Sequence, residues 1–428
     1  MNHPFSPESL RAMAGSVQSA SRSLARQPTS ARNDALVQMA SSLRRHTDEI
    51  LQANQRDVEK ARTEGRDDAF VDRLILDTDR IESMAQAVEE IAGLPDPLGG
   101  FDEVWTRPNG LQVARRRIPL GVIGIIYESR PNVTSDAAAL CIKSGNGVVL
   151  KGGSDAFSSN QAIVTALREG LRNSSLDTTA REAIGFVDTT DRDAVSHLLT
   201  FSDAIDVVIP RGGKGLIRFV HEHSRIPVIK HDDGVCHIVV DGSADPDDVE
   251  AILLNAKVQR PGVCNAMETL LVLSSATDQL PRILTALSEA GVRLHLCPES
   301  IEVARDLELP RIGPADDAAY AEEFLSLELA VRVVPTLTDA VSHIDRFGSS
   351  HTEALLTNDL AQSQRFIDEV DSAVVLINAS TRFSDGGQLG LGAEIGISTT
   401  RMHAYGPMGL RELTTTKFVV VGKGQIRT

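Results

Sequence analysis

The sequence is poor in aromatic side chains and in positive charge, and both shortages limit what it can bind. Aromatic residues make up 4% of 428 residues, with a single Trp, which is too few for a platform that stacks nucleic-acid bases. Lysine and arginine total 43 against 59 acidic residues, which gives a formal net charge of −16. Because a protein that follows a phosphate backbone needs a basic surface, we expect no nucleic-acid partner. A small anionic substrate in a local basic pocket is compatible with this charge.

Cysteines and long apolar runs are also scarce. No two cysteines are spaced as Cys-x-x-Cys, and four scattered ones do not form a disulfide framework in a chain of this length. This usage fits a reducing compartment, so we expect a cytoplasmic protein. No stretch reaches the about 18 apolar residues of a membrane span, and residues 1–8 lack the basic and apolar parts of a signal peptide. The cysteines are Cys141, Cys236, Cys264 and Cys297.

The pattern that the sequence does contain changes near residue 111. Residues 6–93 show helical spacing and open with Ser6 as an N-cap before Pro7. From residue 111, short β-branched runs alternate with amphipathic stretches, which is typical of a parallel sheet built from β-α units. The sequence therefore predicts an α/β fold. The predicted strands are 121–127, 148–151, 184–187, 205–209, 228–230, 237–240, 269–273, 330–334 and 374–378, with a last strand at 416–421 after a glycine-rich segment.

Cys264 is a candidate nucleophile because of where it lies between predicted elements. A Pro-Gly pair at 261–262 ends the predicted helix 246–258 just before the thiol, and the strand 269–273 begins five residues after it. The sulfur is therefore expected on a short loop between packed elements. A free thiol with a pKa of about 8.5 is only slightly ionised at neutral pH, and Arg260 together with loop amides would raise the thiolate fraction. The alternative is a buried and inert cysteine.

Two glycine-containing loops follow predicted strands and precede predicted helices. Residues 150–155 contain Lys151, which can donate to a ribose or a phosphate, and residues 209–215 contain Gly212 and Gly213 between two cations. In doubly wound sheets, ligands bind at such carboxyl ends of strands, and helix-start amides favour anions. Neither loop has the full Gly-x-Gly-x-x-Gly or Walker pattern. Two such loops in one sheet favour a dinucleotide over two solvent-exposed turns.

Three further polar segments leave more than one interpretation open. Residues 127–134 follow the first strand of the predicted sheet and could polarise a carbonyl group or cap the next helix. Arg382 follows a strand end in 378–387, where it could bind a substrate carboxylate or lie in an exposed hairpin. His231 and His237 are six residues apart and match no zinc spacing, so we expect no metal.

These segments together resemble one family over nearly the whole chain. It is the family of γ-glutamyl phosphate reductases, also called glutamate-5-semialdehyde dehydrogenases, of the aldehyde dehydrogenase superfamily. The number and order of the matching segments make the resemblance specific. They are 119–134, 150–154, 258–265, 348–353, 378–387, 390–398 and 406–410.

The resemblance implies a three-part architecture. The fold would be aldehyde-dehydrogenase-like α/β, with a Rossmann-like cofactor domain at 1–113 and 132–240. A catalytic α/β domain would span 241–378. A small oligomerisation flap would comprise 114–131 and 388–428, which accounts for the isolated last strand and implies a homo-oligomer.

The resemblance also implies a reaction, the NADPH-dependent reduction of L-glutamyl 5-phosphate to L-glutamate 5-semialdehyde and phosphate in proline biosynthesis. Cys264 would attack the acyl phosphate, and hydride from the nicotinamide would reduce the resulting thioester. The backbone amide of Cys264 and a side chain from 129–132 would stabilise the oxyanion. The implied site residues are Cys264 as nucleophile, Lys151, Gly153, Ser154, Gly212 and Gly213 for NADP(H), and Asn132, Arg382 and His351 for the substrate.

Two departures from related families carry information. Oxidising aldehyde dehydrogenases have a glutamate that activates water, whereas the matching stretch here, 230–233, contains none, which suits phosphate as the exchange partner. Relatives that prefer NAD place a glutamate where Ser154 stands here. A neutral serine leaves room for the 2′-phosphate, whereas repulsion by a carboxylate, about 1 kcal/mol or more at close range, would shift the preference roughly tenfold. We therefore expect a preference for NADPH over NADH.

Three alternatives remain at this point. A water-using aldehyde dehydrogenase would share the fold but release an acid. A nucleotide-binding scaffold would leave Cys264 inert. A cysteine hydrolase would need a histidine beside Cys264, and no segment nominates one.

Overall fold

The structure is a computed structural model that describes residues 6–230 and 233–427. The chain forms two compact units. The first consists of Met1–Lys230, Leu391–Gly396 and Met408–Thr428, and the second of His231–Gly390 and Ile397–Pro407.

Strands and helices alternate through most of the chain after the first five helices. The strands are β1 (Phe101–Thr106), β2 (Gln112–Pro119), β3 (Val122–Tyr127), β4 (Gly147–Gly152), β5 (Ile184–Phe186), β6 (Val207–Arg211), β7 (Cys236–Val240), β8 (Met267–Leu273), β9 (Arg293–Leu296), β10 (Ile312–Pro314), β11 (Glu328–Val334), β12 (Thr352–Leu356), β13 (Val374–Ile377), β14 (Gly396–Ser398), β15 (Gly406–Met408) and β16 (Thr414–Val421). The helices are α1 (Pro7–Leu24), α2 (Thr29–Arg45), α3 (Thr47–Thr63), α4 (Asp68–Leu74), α5 (Thr78–Gly93), α6 (Asn132–Lys143), α7 (Phe157–Asn173), α8 (Asp193–Leu198), α9 (Lys214–His223), α10 (Pro246–Val258), α11 (Leu280–Glu289), α12 (Pro298–Ala304), α13 (Asp317–Tyr320), α14 (Leu337–Phe347) and α15 (Leu360–Glu369).

The predicted helical region 6–93 is confirmed as α1 to α5. Ser6 caps α1 as predicted, because its hydroxyl accepts a hydrogen bond from the Ser9 N–H. Asp67 and Asp77 cap α4 and α5 in the same way through their carboxylates. Side-chain acceptors at these helix starts satisfy amides that the helix leaves without a partner.

The first unit contains a parallel sheet with the strand order β5-β4-β3-β6. Every residue of β3 and β4 is buried, which fits a sheet covered on both faces. Helices α1, α8 and α9 share a hydrophobic cluster with β3, β4 and β6, and α6 and α7 pack against the same sheet. In this register Tyr127 at the end of β3 pairs with Gly152 of β4 and Arg211 of β6. The loops that follow these three strands therefore meet at one edge.

The second unit is built around a seven-stranded sheet in the order β10-β9-β11-β8-β7-β12-β13, with parallel pairing throughout. One hydrophobic cluster joins the sheet to α10, α11 and α12, and another joins it to α14 and α15. The predicted α/β fold with parallel sheets is thus confirmed in both units. The loop that carries Cys264 connects α10 to the central strand β8.

A three-stranded antiparallel sheet, β1-β2-β16, completes the first unit. The predicted last strand is confirmed as β16, which pairs along the whole of β2. The short strands β14 and β15 form a separate two-stranded sheet. Within the described residues no helix has the length and apolar character needed to cross a bilayer.

Two strand predictions differ from the structure. The predicted strand 228–230 is wrong, since it is reduced to a single bridge between Val208 and Val228. The predicted strand 205–209 begins later, as β6 at Val207, because the Asp206 carboxylate accepts the Val122 N–H just before it. Strand β7 lies inside the seven-stranded sheet, and the two units divide at residue 230. The predicted domain limits, including the flap, stay a prediction.

Candidate active site

Cys264 lies on a tight loop between the end of α10 and the start of β8. The loop turns through a hydrogen bond from the Ala266 N–H to the Val263 carbonyl (3.0 Å). The next side chain, Asn265, is buried and donates to the Ser384 carbonyl (2.8 Å). A methyl group at Gly234 would overlap the Cys264 carbonyl, so only glycine permits this approach. The loop is therefore fixed on both sides of a half-buried sulfur.

Cys236 lies behind the same loop. Its thiol donates to the Cys264 carbonyl with a sulfur–oxygen distance of 3.2 Å. Burial raises the pKa of Cys236 well above its usual value, and the charge of Glu353 raises it further. Cys236 is thus held as a neutral thiol that supports the loop. Of the four cysteines only Cys264 is not fully buried.

Two arginines give the neighbourhood of Cys264 a positive charge. Arg382 lies on the short 3₁₀ helix Thr381–Phe383, and its Nε donates to the Gln259 side chain (3.0 Å). Burial lowers the pKa of Arg382, and the charge of Arg260 lowers it further, whereas the charges of Asp385 and Cys264 oppose this shift. Arg382 is thus within electrostatic range of both Arg260 and the thiol. This arrangement favours an anion at the loop.

A fully buried ion pair connects the two elements that flank the Cys264 loop. Lys257 in the last turn of α10 meets Glu268 in β8 at 2.5 Å, and neither side chain is exposed. The second Glu268 oxygen accepts the N–H of Leu325, whose φ of 52° lies in the left-handed region. Burial raises the pKa of Glu268 to about 7 and lowers the pKa of Lys257. The pair ties together the two elements that flank Cys264.

This ion pair was not predicted from the sequence, although the sequence contains a signal for it. Lys257 stands between Ala256 and Val258, and Glu268 interrupts the largely apolar stretch from Ala266 to Leu273. A charged residue in an apolar strand indicates a buried partner of opposite charge, because burying an isolated ion in the core costs about several kcal/mol of stability.

His351 lies beneath the loop. Its ring is fully buried, and Nδ1 lies 3.6 Å from the Cys236 sulfur and 2.8 Å from the Thr352 hydroxyl. Thr352 in turn donates to the Ser384 hydroxyl (2.8 Å). The structure therefore brings His351 close to the loop, on its inner side. Its predicted contact with the substrate stays a prediction.

A second buried pair, also missed, lies next to these residues. His237 Nδ1 and its backbone N–H both contact Glu353 Oε2, at 2.9 and 2.8 Å. The ring of His343 meets His237 edge to face, 5.5 Å between centroids. Burial lowers the pKa of His343 to about 3, with a further contribution from His237. This part of the second unit therefore contains histidines held away from water.

In the first unit, the two predicted glycine loops meet at the carboxyl edge of the four-stranded sheet. Lys151 is buried near the end of β4, and its Nζ donates to the Gly152 carbonyl (2.8 Å). Burial lowers the pKa of Lys151. Gly153 precedes a short 3₁₀ helix that begins at Ser154, and Ser154 is exposed. This loop thus presents an exposed hydroxyl beside a buried ammonium group.

The second loop, at the start of α9, binds a carboxylate of its own chain. Glu128, just after β3, accepts the Gly213 N–H (2.9 Å), and a methyl group at Gly212 would overlap this carboxylate. Glu128 thus takes the anion position that the sequence indicated at this helix start. The structure brings Lys151, Gly153 and Gly213 to one edge, and their roles in cofactor binding stay predictions.

Asn132 begins α6 and is exposed. Its amide donates to Asp136 (3.0 Å). Burial raises the pKa of Asp136 to about 6, against the opposing effect of this hydrogen bond. The predicted role of Asn132 as a donor to the substrate stays a prediction. Of the segment 230–233, His231 and Asp232 lie outside the described residues.

Within residues 6–230 and 233–427, no three His, Cys, Asp or Glu side chains are arranged to hold a metal ion. Each unit thus has its own candidate groups: the second has a half-buried thiol and two nearby guanidinium groups, and the first has a polar sheet edge.

Comparisons with known proteins agree with this description. The profile of the aldehyde dehydrogenase family matches residues 5–294. The chain is 51% identical to a γ-glutamyl phosphate reductase of Geobacter metallireducens over 98% of its own length and 99% of the relative's. A relative of the same name from Geotalea daltonii is 52% identical, with the same shares covered. The crystal structure of γ-glutamyl phosphate reductase from Thermotoga maritima superimposes with a TM-score of 0.94 at 44% identity, covering 98% of this chain and all of that one.

Proposed function

Since the chain belongs to the aldehyde dehydrogenase family and, within it, to the γ-glutamyl phosphate reductases, we propose that it reduces L-glutamyl 5-phosphate to L-glutamate 5-semialdehyde with NADPH. Inorganic phosphate is the second product, and the step belongs to proline biosynthesis. The observation that carries the chemistry is the half-buried thiol of Cys264 on a loop fixed from behind by Cys236.

Cys264 attacks the carbonyl carbon of the acyl phosphate. A new C–S bond forms, the C–O bond to phosphate breaks, and phosphate leaves with the electron pair. Positive charge from Arg260 and Arg382 favours the thiolate beforehand and attracts the anionic substrate. After the thioester has accepted a hydride and a proton, the thiohemiacetal on Cys264 collapses to the aldehyde and the free thiol.

The fixed position of the Cys264 loop also helps to stabilise the oxyanion that forms during this attack. The Val263 carbonyl, which belongs to the same peptide group as the Cys264 N–H, accepts a hydrogen bond from the Ala266 N–H, and this holds that peptide group in one orientation. Donors that are already oriented stabilise a developing negative charge without reorganisation. The backbone N–H of Cys264 is our candidate for one donor, and the Asn132 amide for the other.

A nicotinamide cofactor supplies the hydride, as in the rest of this family. The sheet edge in the first unit fits such a group, because Lys151 holds a buried ammonium group there and Ser154 exposes a hydroxyl close to it. The carboxylate next to Ser154, Asp155, is neutralised by Arg66 at 3.2 Å. A 2′-phosphate at Ser154 would therefore meet a neutralised ion pair rather than an unbalanced anion, which is compatible with NADPH as the cofactor.

The proposal is tested by the reverse reaction. Purified enzyme is supplied with glutamate semialdehyde and NADP⁺, with and without inorganic phosphate, and NADPH formation is followed. We expect formation only with phosphate. Equal rates without phosphate, with glutamate as product, would instead establish a water-using dehydrogenase. Cofactor binding with no reaction under either condition would favour the scaffold alternative.

We also propose that the chain forms a homo-oligomer through the antiparallel sheet of the first unit. Val104, Phe418 and Val420 are large apolar side chains that this sheet exposes. Strands β1 and β16 are its outer strands, so each has an edge open to pairing. Sedimentation analysis of Phe418→Lys should show a smaller species than the unmodified enzyme, and an unchanged mass would contradict this interface.

A further inference from the structure

A cavity of about 750 Å³ lies in the first unit, away from the sheet edge described above. Its walls come from the end of α1, the start of α2, the turn 96–99 and the strands β2 and β16. Gly121 borders it just before β3, whereas the proposed cofactor edge lies beyond Tyr127 at the other end of that strand. A strand of this length separates its two ends by roughly 20 Å. The cavity is therefore a separate site.

Six cationic side chains line this cavity, with one acidic residue, Asp96. Asp96 is already engaged, because it forms a buried ion pair with Arg32 and accepts a hydrogen bond from Thr29. Arg117 is paired with Asp102. Four cations remain, and none of them forms an ion pair within the described residues, although the charge of Arg26 contributes to lowering the pKa of Asp177. They are Arg22, Arg26, Arg116 and Lys417.

Two of these cations lie opposite each other in an electrostatically unfavourable position. Arg116 and Lys417 are directly opposite each other in the antiparallel pair of β2 and β16, so both side chains project from the same face. Like charges in such cross-strand positions destabilise a sheet. Arg22 lies in the last turn of α1, where the helix dipole favours cations, and Arg26 follows the C-cap Ala25. The dipole accounts for Arg22, but nothing in the sheet accounts for the pair Arg116 and Lys417.

Six cations and one carboxylate line this cavity in a chain with 59 acidic and 43 basic residues, so the local balance of charge is the reverse of the chain's. Arginine forks bind phosphate oxygens in pairs, and the cavity volume falls in the range of about 300–1,000 Å³ that small-molecule sites occupy. We propose that this cavity binds a small anion that carries two or more phosphate charges, at a site independent of Cys264 and of the cofactor edge.

The proposal is tested by calorimetric titration with inorganic pyrophosphate. The enzyme is first saturated with NADP⁺, so that the cofactor edge is occupied. Three forms are compared: the unmodified chain, the double variant Arg116→Gln/Lys417→Gln, and the control Arg115→Gln. Arg115 is the neighbouring cation on β2, is 45% exposed and does not line the cavity. We expect equal affinity in the unmodified chain and the control, and roughly tenfold or greater weakening in the double variant.

Thermal unfolding separates a binding role from a structural one. Without pyrophosphate the double variant should unfold at the same temperature as the unmodified chain or slightly higher, because a like-charge contact is gone. With pyrophosphate only the unmodified chain and the control should gain stability. Undiminished pyrophosphate affinity in the double variant would overturn the proposal. So would a lower unfolding temperature without pyrophosphate, or a salt-dependent change in oligomeric mass, which would make the cavity a contact between copies.

Discussion

The sheet edge at Lys151 and the loop at Cys264 hold their functional groups by different means. At the sheet edge, loops that follow parallel strands present backbone groups and an exposed serine, Ser154. At the Cys264 loop, buried side chains fix the position of the backbone, namely the Cys236 thiol and the ion pair Lys257–Glu268. The sheet edge should tolerate changes of side chain, because the ends of the strands fix the positions of its backbone groups. The Cys264 loop depends on charges that are costly to leave without a partner.

The largest effect should follow removal of the Cys264 thiol, whose loop is held in place by buried side chains. In Cys264→Ala we expect the reductive rate to fall by at least about 10⁴-fold, with binding of NADP⁺ unchanged, because the cofactor edge belongs to the other unit. Stopped-flow fluorescence measures both quantities. The control Cys297→Ser removes a buried thiol elsewhere and should keep most of the activity. A residual rate within tenfold of the unmodified enzyme would refute the role of Cys264.

The buried pair gives the next largest effect. Glu268→Gln leaves Lys257 buried without a counter-charge, and we expect a loss of about 3–5 kcal/mol in the free energy of unfolding by urea. Lys257→Met/Glu268→Leu removes both charges and should recover most of that loss. A single variant as stable as the unmodified chain would show that the loop does not depend on the pair.

His343 should make the second unit sensitive to acid. The pKa of His343 in the folded protein, about 3, is lower than in the unfolded chain. The unfolded state therefore binds more protons as the pH falls below the unfolded pKa of about 6.5, and stability declines from there toward the folded pKa. We expect this residue to contribute up to about 1.4 kcal/mol per pH unit. Urea unfolding at several pH values should show a smaller slope in His343→Gln, and equal slopes would contradict the assignment.

The sheet edge should respond to a change of charge more than to a change of size. Ser154→Glu should lower kcat/KM with NADPH roughly tenfold and leave NADH nearly unaffected, because a carboxylate repels the 2′-phosphate. Ser154→Gln has the same shape without the charge and should remain close to the unmodified enzyme. Similar losses in both variants would show that crowding, not charge, sets the preference.

The comparison also explains what the sequence could predict. Periodicity and caps revealed the α/β fold, because Ser6 and the buried strands each leave a local pattern. The thiol was found from Pro261 and Gly262, which mark the loop boundary. The partners of Lys257 and His237 were not found, because each pair joins residues that only the tertiary fold brings together. The strand 228–230 failed for a different reason, since only Val228 pairs with a neighbouring strand, through a single bridge to Val208.

The central claim is that Cys264 carries the glutamyl group during catalysis. The direct test is mass spectrometry of the enzyme mixed with glutamate semialdehyde and NADP⁺ without phosphate, then quenched in acid and digested. The account predicts a glutamyl group on the peptide that contains Cys264, which disappears when phosphate is added before the quench. A glutamyl group on the Cys236 peptide instead, or turnover with no acylated cysteine at any time, would contradict it.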